Sequence, residues 1–521
     1  MKILFYNWVD YLDDEKRGGG VTVYQRNVIN ALQDTSDVDA WFLSAGISYD
    51  IGNAAPRWDH IKHGGAENKD KRFEVVNSGV LAPSHHSFGN PAQFDHPETV
   101  EVIADFVEKN GPFDVLHLNN LEGVPATVLA LKERFPEMRV ILSLHNYYPF
   151  CPQVNLWHNE KKACSNFKNG RKCVHCLPSQ HDERVIRLAN GVAFSFKKNN
   201  IRPGTRIFDR AFIPAMRLAR HGLRAYRKLR PQKQATQPAA LETRSLPIEG
   251  SPLRQLKPLH PTFRERRETF VQMINTHCDA VLCVSDRVGE IAKQYGIDPA
   301  IVHTSYIGTR QAERFDDTSP KEHFLKPDGT ITLGYLGYMR RDKGFYFLLD
   351  ALEALPEETA ARIHLVVAAR NSDGEAMERL ELLDDQLGSV LYADGYSHDD
   401  LDDILETVDV GVVPVLWEDN LPQVAIEMHA RHIPIITSNM GGAQELANAP
   451  AMTFAAGSKS GFRSCLVTLL NGEIDSAAYW KTAARPVSMS EHMDDLLMHY
   501  RAEAPSQDRE DTTAILSAGA A

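Results

Sequence analysis

The stretch VVPVLWEDNLPQVAIEMHARHIPIITSNMGGAQEL, from Val412 to Leu446, contains two strand–turn–helix passages in succession. An apolar run ends at Pro414, a loop carries Glu418, Asp419 and Asn420, and a helical stretch holding Glu427 follows. A second apolar run, Pro434–Thr437, leads to the glycine turn Gly441–Gly442 and then to Glu445. Short apolar runs bounded by turns and followed by helices predict parallel strands buried on both faces. A carboxylate at such a strand end is costly to bury unless it accepts hydrogen bonds. Ligand hydroxyls would supply them; ordinary helix N-terminal carboxylates would give the same residues.

Upstream, YLGYMRRDKGFYFLLDAL (Tyr335–Leu352) repeats the pattern: a strand ends at Gly337, Arg340, Arg341 and Lys343 follow, and Gly344 turns into a helix. Cations at the carboxyl edge of a parallel sheet stand where open α/β sheets take ligands, and they suit a diphosphate. The alternative is a solvated basic turn. Near the start, KRGGGVTVYQRNVINAL (Lys16–Leu32) places Gly19 and Gly20 at the mouth of a helix. A backbone can approach a ligand closely there and offer free N–H groups to an anion, although packing alone also favours glycine in first turns. The spacing is not the dinucleotide fingerprint.

Further strands are expected at Lys2–Trp8, Ala40–Ser44, Phe113–Leu118, Val140–Leu144 and Ala280–Val284, then at Ile331–Leu336, His364–Ala368 and Val410–Val415, with helices such as Phe347–Ala354 and Leu401–Thr407 between strands. Strand–helix alternation in two arrays predicts an α/β fold of two doubly wound, Rossmann-like domains. The polar stretch Asp316–Thr330 marks their boundary. The expected division is 1–318, with an insertion at about 151–268, then 319–500, with a disordered tail at 503–521.

Composition narrows the function classes. The 521 residues are 43% hydrophobic and 24% charged, which excludes a disordered or fibrous chain. No apolar run reaches the roughly 18–20 residues of a membrane span. The N-terminus reads as a first strand, not a secretory signal. Seven cysteines suit a reducing compartment. The net charge of −12 hides an excess of 20 Lys and Arg over 7 Asp and Glu within 181–270. That asymmetry points to an anionic surface met by one segment.

Taken in order, G-x5-KG, W-x-D-N-x-P-x4-E and SNMGG-x-x-E resemble the donor-binding domain of family 4 glycosyltransferases, which have the GT-B architecture. The likeness extends to GGGVTVYQRNVINAL, FDVLHLNN, RVILSLHNYYPFCP and CDAVLCVSDRVGEIAKQYG, and so to most of the chain outside the insertion and tail. The resemblance implies a nucleotide diphosphate sugar as donor and retention of anomeric configuration. It places the family's paired acids on Asp419 and Glu427, Glu427 holding the ribose and Asp419 facing the donor sugar. His145 matches a histidine that lines that sugar. Lys343 matches the family's lysine, while Tyr338 stands where the family has arginine, so Arg340 or Arg341 would supply the missing charge. Asn420, Leu421, Gln423 and Val424 fall in the phosphate-cradling loop, where Pro422 has no N–H to give. Fixed cations and helix N-termini would stabilise the leaving group, so the reading requires no catalytic cofactor.

Two features lie outside these motifs. Cys151, Cys164, Cys173 and Cys176 form C-x12-C-x8-C-x2-C, the pattern of a structural zinc site, of reduced thiols or of a redox pair. The resemblance implies a loop staple near the acceptor side. Thr205–Arg230 is a basic amphipathic helix with Pro214 as a kink, suited to an anionic membrane interface or to packing on the body by its apolar face. No nucleic-acid-binding module accompanies the charge.

The expected function is therefore transfer of a sugar to a carbohydrate or lipid-linked saccharide acceptor, such as a growing surface polysaccharide. Its place would be the cytoplasm, peripherally on the inner face of the cytoplasmic membrane. A catalytically inactive sugar-nucleotide-binding scaffold and a GT-B-like nucleotide-sugar epimerase are the alternatives.

Overall fold

The computed structural model describes residues 1–502 apart from 14, 16, 34–36, 63–64, 66, 178–181, 200, 202–204, 213, 215–216, 219–240, 246–253 and 372–373. The expected disordered tail and much of the basic helix lie outside the described residues.

In chain order, β1 (Lys2–Tyr6), β2 (Asp39–Ser48), β3 (Arg57–His60), β4 (Arg72–Val76), β5 (Val115–Leu118) and β6 (Arg139–Leu144) open a first sheet. Two hairpins follow, β7 (Trp157–His158) with β8 (Lys162–Ala163), and β9 (Leu241–Ser245) with β10 (Arg254–Pro258). Then β11 (Ala280–Cys283) and β12 (Val302–Thr304) complete the first sheet, ordered β12-β11-β6-β5-β1-β2-β4-β3. It is parallel except where β3 meets β4. The second sheet comprises β13 (Ile331–Tyr338), β14 (Ile363–Arg370), β15 (Ser389–Ala393), β16 (Val410–Val413), β17 (Ile435–Ser438) and β18 (Thr453–Phe454). Its order is β15-β14-β13-β16-β17-β18, parallel throughout.

All nine strands expected from apolar runs are present, and their central residues are buried on both faces, as in β6 and β16. The helices between them bury one stripe each. Along Gly19–Gln33 that stripe is Tyr24, Val28, Ile29 and Leu32, each burial contributing roughly 1.5–3 kcal/mol. The helix Met489–Arg501 closes on the first sheet, although it follows the second in sequence. Met493, Leu496 and Tyr500 join the same core as Val28 and Leu32, and the Tyr500 hydroxyl meets His117 Nδ1 at 2.6 Å.

In the second sheet, the direction in which successive strands are added switches between β13 and β16; in the first it switches between β1 and β5. Ligands of open α/β sheets bind outside the carboxyl ends of strands at such switch points. The loops that follow β1, β13 and β16 are those carrying Gly19–Gly20, Arg340–Lys343 and Glu418–Val424. Topology thus gathers the motifs into one crevice.

Candidate active site

Near the end of β13, Gly337 takes φ 131 with open space where a β-carbon would stand, and after the strand Gly344 takes φ 75. A side chain at Gly344 would strike the Pro414 carbonyl oxygen at 1.8 Å, so this turn needs glycine to lie against the end of β16. The turn aims Lys343 inward: its Nζ donates to Asp419 Oδ2 at 2.6 Å. Arg340 is held locally by Asp342 at 2.6 and 3.0 Å. Arg341 lies over the Tyr346 ring, 4.9 Å from its centroid. Of the three cations expected to face a diphosphate, Lys343 is the one that meets either of the paired acids Asp419 and Glu427 among the described residues.

After β16, Asp419 and Asn420 are buried. The Gly441–Gly442 turn fixes their backbone, Gly442 N–H donating to the Asp419 carbonyl at 2.9 Å. A side chain at Gly441, where φ is 71, would strike that same oxygen at 1.9 Å. Asn420 Nδ2 reaches across to the carbonyl of Leu144 at 3.4 Å, at the end of β6 and next to His145. Leu421 is buried beside it, and Gln423 and Val424 open the helix Gln423–His429, so their N–H groups lack intrahelical partners.

Glu427 is 5% exposed on that helix. Its Oε2 accepts from the Tyr396 hydroxyl at 3.4 Å, and its Oε1 lies 3.3 Å from His398 Nε2. Both contacts are long for charged hydrogen bonds, and an ionised carboxylate offers about four acceptor directions. Buried oxygens with two long partners have capacity left for a ligand's hydroxyls. The bond to Glu427 is also what raises the pKa of His398.

From the first sheet, Gly20 and Gly19 sit exposed at the start of a fifteen-residue helix. A β-carbon at Gly20 would stand 3.5 Å from the Gln423 carboxamide. His145 is packed against the Tyr24 ring, with centroids 4.6 Å apart, and its Nε2 lies 3.3 Å from Asn119 Oδ1. Burial, aided by the charge of His492, lowers its pKa to about 3, so the ring is neutral near pH 7. The Tyr147 hydroxyl is buried with no hydrogen-bond partner among the described residues. Burial, then the negative charges of Glu418 and Asp419, raise its pKa well above the ordinary value.

The two sheets are bolted together beside this crevice. Arg287 pairs with Glu418 at 2.6 and 3.1 Å. Glu445 accepts from the Asp286 and Arg287 amides at 2.9 and 2.7 Å and from the Tyr306 hydroxyl at 2.8 Å. Sequence reasoning missed Arg287, Tyr147 and Asn119, although each lay within a quoted motif. Tyr396 and His398 sit in a polar loop after β15 that carries no signal.

The four cysteines stand elsewhere, round a separate small cavity beside the β7–β8 hairpin. Among the described residues, which include all seven cysteines, no disulfide is formed. Among the described residues, no three His, Cys, Asp or Glu side chains are already gathered as a metal-binding set, and no helix is long and apolar enough to cross a membrane. Within Thr205–Arg230 the described residues from 206 on are helical, with a π-helical turn at Phe208–Phe212.

Residues 330–472 match the family model described as Glycosyl transferases group 1. That stretch includes Gly337, Lys343, Asp419, Glu427 and Glu445. No curated protein matches the chain in sequence. Among solved structures, HepE of Anabaena in complex with UDP aligns over 95% of this chain and 98% of its own, at 12% identity and TM-score 0.51. Sucrose-phosphate synthase of Thermosynechococcus elongatus aligns over 96% and 98%, at 13% identity and TM-score 0.52. The lipopolysaccharide outer core galactosyltransferase WaaB, in its apo form, aligns over 96% and 99%, at 12% identity and TM-score 0.53. The fold is thus the GT-B fold expected from the motifs.

Proposed function

We propose that this protein is a retaining glycosyltransferase that moves a hexosyl-type sugar from a nucleotide diphosphate sugar to a saccharide acceptor. The observation that carries the reading is Glu427, a buried carboxylate at the crevice with spare acceptor capacity, inside a stretch matching a glycosyltransferase family. In this reading its oxygens hold the ribose hydroxyls. The diphosphate lies between the Gly19–Gly20 helix start, the amides of Gln423 and Val424, and Lys343. The crystallisation of HepE with UDP supports a uridine nucleotide as the first donor to try.

As the glycosidic bond to phosphate breaks, negative charge grows on the leaving diphosphate. The Lys343 ammonium, poised on Asp419, and the start of the long first helix would stabilise it. His145, neutral and close to Asn119, offers a hydrogen bond to a donor-sugar hydroxyl and carries no charge of its own. Transfer on one face of the sugar retains its configuration without an enzyme nucleophile.

The acceptor proposed is a lipid-linked or growing surface polysaccharide. Supporting it, Val185, Leu188, Ile207 and Leu218 expose large apolar side chains in the basic, helix-rich part of the insertion, a composition suited to an anionic membrane surface. Flotation with anionic liposomes tests this part. Loss of flotation on charge reversal of Arg217, Arg220 and Arg224 is expected, and no flotation by the native chain would remove it.

Thermal-shift measurements with UDP-, GDP-, ADP- and TDP-sugars test the donor. A sugar nucleotide at roughly 100 times its dissociation constant adds about 2.7 kcal/mol of stability. Glu427→Ala, folded by circular dichroism, is expected to abolish that shift and the transfer of labelled sugar. NMR of the product reads the anomeric configuration and separates transfer from epimerisation of the free donor. A native chain that binds no sugar nucleotide would overturn the proposal.

A further inference from the structure

We propose that Cys151, Cys164, Cys173 and Cys176 form a structural zinc site that fixes the loop between β6 and the helix Glu183–Lys198.

The four residues come from both ends of a long connection, yet all four line one cavity of about 10 Å³. A space of that order holds roughly one small atom. Cys151, Cys173 and Cys176 are buried at 8, 7 and 6% exposure. Hydrogen bonding within the loop sets their positions. The Cys164 amide donates to the Leu156 carbonyl at 2.6 Å, and the 3-10 turn Cys173–His175 closes with Cys173 N–H on Gly170 at 3.0 Å. The sulfurs are not already drawn to one point. The Cys176 Sγ donates to Gln153 Oε1 at 3.0 Å, so assembly by the ion requires that bond to break and the thiols to turn about their Cα–Cβ bonds to other staggered positions.

The loop needs such a cross-link. Between Cys151 and Cys176 its only regular structure is the two-residue strands β7 and β8 and that 3-10 turn. Six of its non-glycine residues, Val154, Leu156, Asn159, Glu160, Lys168 and Asn169, adopt φ between 49 and 64. Left-handed backbone costs most at a β-branched residue such as Val154. At its start the loop packs into the main core through Cys151, Val154 and Leu156, but at its end the shared apolar cluster is small: Phe88, Val174 and Phe263 beside Cys173 and Cys176. Asn159, Glu160, Lys168 and Asn169 have no such core packing to hold them; left-handed backbone there persists where something else over-determines it, and a tetrahedral thiolate–metal site is one device that does so.

Charge also fits. Binding releases the four thiol protons to water and leaves the metal and four thiolates with a net charge of −2. Arg267 lines the same cavity, anchored by its Nε to the Phe150 carbonyl at 2.8 Å and stacked on Phe167 at 3.4 Å. Its guanidinium offsets that charge. His158 also lines the cavity, and its buried Nδ1 has no partner among the described residues; four thiolates complete a tetrahedron without it.

The test is metal analysis of the full-length chain purified under reducing conditions without chelator. About one zinc per chain is expected, retained in His158→Ala and Cys465→Ser and lost in Cys173→Ser and in Cys176→Ser. Cobalt exchanged for the zinc is expected to show the visible ligand-field bands of a tetrahedral thiolate complex, which reports the site even if the serine variants fail to fold. A zinc-free native chain overturns the proposal, whether its denatured thiol count gives all seven cysteines reduced or a lower number that reveals disulfides. Zinc loss in His158→Ala overturns the four-thiolate assignment. None of these readouts depends on sugar transfer.

Discussion

Gly20, at the start of the first long helix, faces Gln423 of the second sheet's helix across the crevice, and a methyl group on Gly20 would stand 3.5 Å from the Gln423 carboxamide. Gly20 lies outside the left-handed region of φ, so alanine is compatible with its backbone. Gly20→Ala is therefore expected to leave stability unchanged or to raise it by about 0.4–1 kcal/mol. The added methyl narrows the place assigned to the diphosphate, so donor KM rises. Denaturant unfolding together with donor saturation curves checks both halves; unaltered KM would remove Gly20 from the donor site.

Gly441 is the opposite case. Its φ of 71 and the Asp419 carbonyl, 1.9 Å from where a β-carbon would stand, leave no room for alanine. Gly441→Ala is expected to cost at least about 1–3 kcal/mol and to displace the Asp419–Asn420 loop, weakening donor binding as well. Thermal unfolding with and without nucleotide sugar measures the two losses in one experiment.

These contrasts show what the sequence could and could not carry. Strands such as Val410–Val413 were legible because parallel strands buried on both faces are almost wholly apolar. The strand Arg72–Val76, which lies between β2 and the edge strand β3, was not, because it opens on a charge and carries a second. Arg72 is buried against Asp10, and Glu74 against Ser48, pairings that link residues distant in the chain and leave no local pattern. The same division holds in the crevice. Asp419, Glu427 and Lys343 sit at motif spacings, whereas Tyr396 and His398 reach Glu427 from a polar loop whose path is set by the sheet. Arg287 meets Glu418 only after two separate sheets have docked.

Lys343 and Asp419 form an ion pair within the crevice, Asp419 being 7% exposed. Lys343→Met leaves the Asp419 carboxylate buried without its cation, which is expected to cost about 1–3 kcal/mol. Adding Asp419→Asn removes the stranded charge and is expected to return most of that stability. Transfer should not return, because the cation that meets the leaving group is still missing, a loss of roughly 10²–10³ in kcat. A double variant that regains activity along with stability would assign Lys343 a purely structural role.

The pH dependence of stability follows from histidines kept neutral by burial. It lowers the pKa of His117 and His145 to about 3, and of His429 and His492 to about 4. In the unfolded chain each titrates near 6.5. Below that pH the unfolded state binds protons that the folded state refuses, so stability declines as pH falls, by up to about 1.4 kcal/mol per pH unit for each proton taken up. Two of these rings hold the helix Met489–Arg501 to the first sheet, His117 through Tyr500 and His492 through Tyr24 at 2.8 Å. Acid should therefore loosen that helix before it unfolds the sheets. Hydrogen exchange at about pH 5 against about pH 7.5 is expected to show protection lost first along Met489–Arg501, after correction for the intrinsic rate. His492→Gln, uncharged throughout, is expected to flatten the stability profile on its acid side. Equal loss of protection in β5 and β6 would mean that the helix and the sheet open as one unit.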